Sequence, residues 1–105
     1  MMNHRVHLLK CWPEYYEATI SGHKTFDIRK NDREFMVGDI LSLQEWDPSE
    51  EEVYFSLMGG DGPGQTCFKA KGYTGRTCLR RITYILSGGQ FGLEEGYVVM
   101  SHQVV

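Results

Sequence analysis

A chain of 105 residues with a formal net charge of −3 is long enough for one small domain with one core and too short for two. Composition is ordinary for a globular protein, 41% hydrophobic and 24% charged, and no apolar run approaches the ~18 residues of a membrane span. The mild acidity excludes a nucleic-acid coat, yet bases gather locally: residues 66–87 hold five bases and no acid, a field of the sign that attracts phosphate.

Residues 1–5 lack the charged start, apolar stretch and cleavage site of a signal peptide, and an odd number of cysteines without CxxC spacing predicts a cytoplasmic protein with reduced thiols. Residues 6–10, from Val6 to Lys10, predict a first strand. Residues 12–21 predict a helix of roughly two turns. Pro13 suits its first turn, and Glu14 and Glu17 lie near its positive end. Trp12, Tyr16 and Ile20 fall four apart on one stripe, and Gly22 stops the helix. Tyr15 and Tyr16 are read as packing the helix onto a barrel, ahead of a stacking platform.

Residues 24–29 predict a second strand, with Phe26 and Ile28 inward and Thr25, Asp27 and Arg29 on the other face. Lys24 has the core parity. Lys24 and Asp27 therefore start on opposite faces, and only a bend between Gly22 and Asp27 brings them together. Residues 31–34 read as a polar turn and Gly38-Asp39 as a tight one. Residues 40–46 predict a third strand, ended by Pro48.

Glu50, Glu51 and Glu52 form a solvated acidic run, and residues 53–57 a short strand. Residues 59–64 hold four glycines and a proline, which predicts a mobile loop. No Gly-Lys-Ser/Thr follows, so a phosphate-cradling loop is disfavoured. Residues 66–71 read as extended and basic, Tyr73-Thr74-Gly75-Arg76 as a turn, and residues 80–86 and 97–101 as strands. The three cysteines, Cys11, Cys67 and Cys78, lack CxxC spacing and predict reduced thiols that pack. A Cys67–Cys78 disulfide is the less favoured reading. His4, His7, His23 and His102 share no ligand spacing, so no metal or cofactor is expected.

The pattern Gly22-x-Lys24-x-x-Asp27-x-Arg29 resembles the Gly-x-Lys-x-x-Glu-x-Arg signature of ASCH domains, which share the PUA-like barrel. Three further pieces resemble a small bacterial and phage branch of that superfamily. They are Leu9-Lys10-x-x-Pro13-Glu14-Tyr15-Tyr16-Glu17-Ala18, the run from Phe26 through Arg33 to Val37-Gly38-Asp39, and Tyr73-Thr74-Gly75-Arg76 with residues 92–99. Two departures stand out. Asp27 replaces the signature glutamate, and residues 49–72 look like an insertion within a single domain spanning 1–105.

The resemblance implies an α+β, mainly β, PUA-like mixed barrel of five to seven strands with one or two short helices. It implies a cleft that takes RNA or a nucleotide-like small molecule. Lys24, Thr25, Asp27, Arg29, Lys30, Trp46, Tyr73, Arg76, Arg80 and Arg81 are the candidate ligand-binding residues. The cations would meet phosphate, Trp46, Tyr73 and Tyr84 would stack on a base, and Asp27 would read a base edge. One ASCH branch consists of amidohydrolases acting on acetylated cytidine, with a catalytic lysine matching Lys24. A threonine stands there in place of Asp27, and a separate glutamate would be Glu45 here. In that alternative Lys24 and Asp27 are catalytic. A third alternative is a protein–protein adaptor that uses residues 49–72. No membrane role is expected.

Overall fold

The computed structural model describes residues 4–49, 52–56 and 67–105, with the backbone alone described for 52–56 and 67–71. Its elements are β1 (Val6–Cys11), α1 (Pro13–Ile20), β2 (Phe26–Lys30), β3 (Ile40–Trp46), β4 (Glu52–Ser56), β5 (Cys67–Lys71), β6 (Tyr73–Ser87) and β7 (Tyr97–Val104). Five strands form one sheet in the order β1-β3-β6-β7-β2, and β4 pairs with β5 alone. Among the described residues only β1 and β3 run parallel. The result is a mainly β fold, a sheet curled into a half-barrel with one short helix. Among the described residues no helix is long and apolar enough to cross a membrane.

Strand alternation builds the core. His7, Leu9 and Cys11 of β1, Leu41, Leu43 and Glu45 of β3, and Val98, Met100 and His102 of β7 are all buried at every second position. Period-2 side-chain placement puts each set on the concave face. Ile82 of β6 and Phe35 of the loop after β2 complete that face. Apolar burial at these positions is the main stabilising term.

Three local expectations need correction. The first is the helix stripe: Tyr16 and Thr19 are buried, whereas Trp12 is 57% and Ile20 40% exposed. A helix of eight residues meets the sheet along a narrow line, and the Thr19 hydroxyl donates to the Tyr15 carbonyl at 2.8 Å. That bond satisfies its polar atom and lets the side chain be buried.

The second is the parity of β2, which is the reverse of the apolar-in reading. Asp27 is 4% exposed, while Phe26 is 42% and Ile28 53% exposed. Register sets this. Asp27 lies opposite Met100, and Arg29 opposite Val98. Directly paired residues share a face of the sheet, and β7 commits Val98 and Met100 to the core. The five residues of β2 follow the longer strand.

The third is Tyr73-Thr74-Gly75-Arg76, which is the start of β6 rather than a turn. Trp46 pairs with Tyr73 and Gln44 with Thr77, so residues 74–76 stand opposite Glu45 alone. The extra residues form a bulge, with Gly75 at φ +91° supplying a conformation that other residues rarely adopt. The acidic residues Glu50 and Glu51, the glycine-rich residues 59–64 and the side chains of Cys67, Lys69 and Lys71 lie outside the described residues, and with them the Cys67–Cys78 pairing.

Candidate functional site

Strands β1 and β2 are the two free edges of the sheet, and α1 connects them. Gly22 ends the helix at φ +86°, its N–H donating to the Thr19 carbonyl at 3.1 Å. The Lys24 N–H then donates to the Ala18 carbonyl at 2.9 Å. The chain therefore folds back on the helix and enters β2 only at Phe26. This is the bend that Lys24 and Asp27 require, and the two side chains meet.

Lys24 Nζ lies 3.3 Å from Asp27 Oδ1 and donates to the Phe26 carbonyl at 2.6 Å. Arg29 Nη2 reaches the same Asp27 oxygen at 3.3 Å and the Lys10 carbonyl at 2.9 Å. On the other side, His102 Nε2 lies 2.9 Å from Asp27 Oδ2. An ionised carboxylate can only accept, so His102 donates from Nε2. Its Nδ1 is buried without a partner among the described residues. Burial alone raises the Asp27 carboxyl, but the His102 hydrogen bond and the Lys24 and Arg29 charges outweigh it. The group is held below the usual carboxylate range, ionised at neutral pH.

Lys24, Asp27 and Arg29 form part of the wall of a cleft of about 910 Å³, lined also by Lys10, Cys11, Trp12, Tyr15, Phe26 and Trp46, with His102 behind it. That size lies within the ~300–1,000 Å³ of small-molecule sites. Aromatic rings and ammonium groups alternate around it. Lys24 Nζ stands 5.3 Å from the Phe26 ring centroid and 5.9 Å from that of Tyr15. Lys10 Nζ stands 4.4 Å from the Trp46 ring and 5.9 Å from that of Tyr73. These distances suit cation–π attraction. Gly72 makes room for the indole: a Cβ there would stand 2.4 Å from Trp46 Nε1. Cys11 offers no thiolate at neutral pH, since burial first and the Asp27 charge second push it up to about 11.

Residues 6–102 match the family described as Domain of unknown function (DUF3850). The chain belongs to the DUF3850 family. No curated protein matches it.

Within this DUF3850 domain the candidate residues separate. Lys24, Asp27, Arg29 and Trp46 line the cleft. Thr25 is exposed and its carbonyl accepts from the His102 N–H at 3.0 Å. Lys30 is exposed at the end of β2. Tyr73 lines a neighbouring cavity. Arg76 bonds Glu17 at 2.7 Å and lies 3.6 Å from Glu45. Arg80 donates to the Leu79 and Thr19 carbonyls, and Arg81 to the Gly38 carbonyl. None of these three arginines lines the cleft, nor does Tyr84, which is exposed. Glu45 is buried and accepts from the Thr74 hydroxyl at 2.7 Å, also outside the cleft lining.

Sequence reasoning missed Lys10, Trp12, Tyr15, Phe26 and His102. His102 carried a signal, since it shares the parity of Val98 and Met100 at the end of an apolar strand. A second buried pair was hidden in the same way: His7 Nε2 lies 2.8 Å from Asp39 Oδ2.

Proposed function

We propose that this DUF3850 domain binds a nucleotide or single-stranded RNA by seating an unpaired base in the cleft. The observation that carries the reading is Asp27: a buried, ionised acceptor in the wall of a cleft walled by the rings of Trp12, Tyr15, Phe26 and Trp46. A carboxylate accepts from base-edge donors such as the cytosine N4 amine. Aromatic side chains stack on any base, at about 1–3 kcal/mol each. Lys24 and Arg29 fix the carboxylate and leave the cleft electropositive. The resemblance of residues 22–29 to the ASCH signature supports the same reading.

The amidohydrolase reading has less support. Lys24 Nζ is already engaged by Asp27 at 3.3 Å and by the Phe26 carbonyl at 2.6 Å, so it is committed to holding the carboxylate and not free to act on a substrate. Cys11 does not replace it. The adaptor reading rests on residues 49–72, for which no side chain beyond Ser49 and before Gly72 is described.

Calorimetric titration of the four ribonucleosides at low salt tests the proposal. Cytidine, whose amine faces a carboxylate, binds in preference to uridine. Asp27→Asn weakens cytidine by roughly 10–100-fold, the loss of one charge-assisted hydrogen bond. Equal affinity of wild type and variant, or no binding of any nucleoside or of its phosphorylated forms, refutes it.

A further inference from the structure

The edge strands β1 and β2 are not paired through their backbones; the side chains of Arg29 in β2 and Arg33 in the loop after it reach across to β1. Arg29 Nη2 donates to the Lys10 carbonyl at 2.9 Å, and Arg33 Nη1 to the Leu8 carbonyl at 2.6 Å. A second cavity of about 440 Å³ opens along this seam, lined by Leu8, Lys10, Arg29, Arg33, Gln44 and Tyr73 among others. It shares Lys10 and Arg29 with the cleft. The two cavities therefore adjoin at a pair of cations.

The charge balance of the seam is uneven. Arg29 has Asp27 as counter-ion. Among the described residues Lys10 and Arg33 have no carboxylate partner. Their contacts are aromatic rings for Lys10 and a neutral carbonyl for Arg33. A guanidinium has five N–H donors, and Arg33 uses one nitrogen here. Its charge is thus fixed in place but not neutralised. A preorganised cation loses less entropy on binding than a free surface lysine does. Gln44 adds an uncharged amide, and Tyr73 a ring.

We infer that the seam cavity is a phosphate subsite adjoining the base cleft, so that the ligand is a phosphorylated nucleoside or a strand rather than a free nucleoside. The inference rests on the base-binding reading. Lys10 and Arg29 stand at the junction where a sugar passes from one cavity to the other, and Arg33 stands beyond it. Arg76, Arg80 and Arg81 are engaged elsewhere, so the phosphate contacts fall on β1 and the β2–β3 loop instead of β6.

The test compares cytidine, cytidine 5′-monophosphate, cytidine 3′-monophosphate and the dinucleotide CpC by calorimetry. At least one phosphorylated probe binds roughly tenfold tighter than cytidine at low salt, and raising salt narrows that gap. A gain with a monophosphate identifies a nucleotide site, and a gain with CpC alone identifies a strand. Arg33→Gln retains a donor for the Leu8 carbonyl and closes most of the gap. Lys10→Gln narrows it as well, and thermal melting checks that both variants fold. If cytidine binds as tightly as every phosphorylated probe, or Arg33→Gln leaves the gap intact, the subsite is wrong while the base cleft stands. If none of the four binds, both are wrong.

Discussion

Asp27 and Asp39 are buried carboxylates matched to buried histidines, at 2.9 and 2.8 Å. For Asp39, burial again pushes the carboxyl up, and the His7 hydrogen bond with the Arg5 and Met36 N–H groups brings it below its ordinary 3.8. The sign for stability follows. The unfolded chain takes up protons near 3.8, and the folded chain does so only at lower pH. Their contribution is full above that value and is lost as pH falls through the depressed folded values. Stability against urea should thus weaken steeply as pH falls below about 4. Asp39→Asn should cost about 1–3 kcal/mol at neutral pH and flatten the acid limb. An unchanged acid limb would show that Asp39 is not held ionised by His7.

At the scale of the element, β2 is where sequence and structure part. Its alternation was legible, but which face was inward was not. A five-residue edge strand takes its parity from its neighbour, and β7 puts Asp27 opposite Met100. Leaving Phe26 and Ile28 half exposed forgoes roughly 1–3 kcal/mol of apolar burial, an arrangement expected of a site rather than of a core. Stability measurements separate the two parities. Ile28→Ser should change stability by no more than about 0.5 kcal/mol, whereas Met100→Ala should cost about 2–5 kcal/mol. Comparable losses at both positions would restore the apolar-in reading. The helix, β3 and β7 were legible because Pro13, Gly22 and short apolar runs mark them. The start of β6 was not, because Gly75 signals a turn and a bulge alike.

Over the whole molecule, the half-barrel brings its two edge strands together at a polar seam, and the cleft opens where α1 crosses that seam. Sequence gave the mainly β class and, through the Gly22 to Arg29 pattern, the three charged residues that converge. Of the aromatic walls only Trp46 was legible, because Trp12, Tyr15 and Phe26 come from places that only the sheet order β1-β3-β6-β7-β2 and the helix packing bring beside it. The basic residues of β6 drew attention by density, yet their partners are Glu17, Glu45 and backbone carbonyls. The central claim is that a base occupies the cleft beside Asp27. An ¹H–¹⁵N NMR titration with cytidine 5′-monophosphate tests it directly. Perturbed signals should cluster at Lys10, Cys11, Lys24, Asp27 and Arg29 and at the indole N–H groups of Trp12 and Trp46. Shifts confined to β6 around Arg80 and Arg81, or no shifts at all, would contradict it.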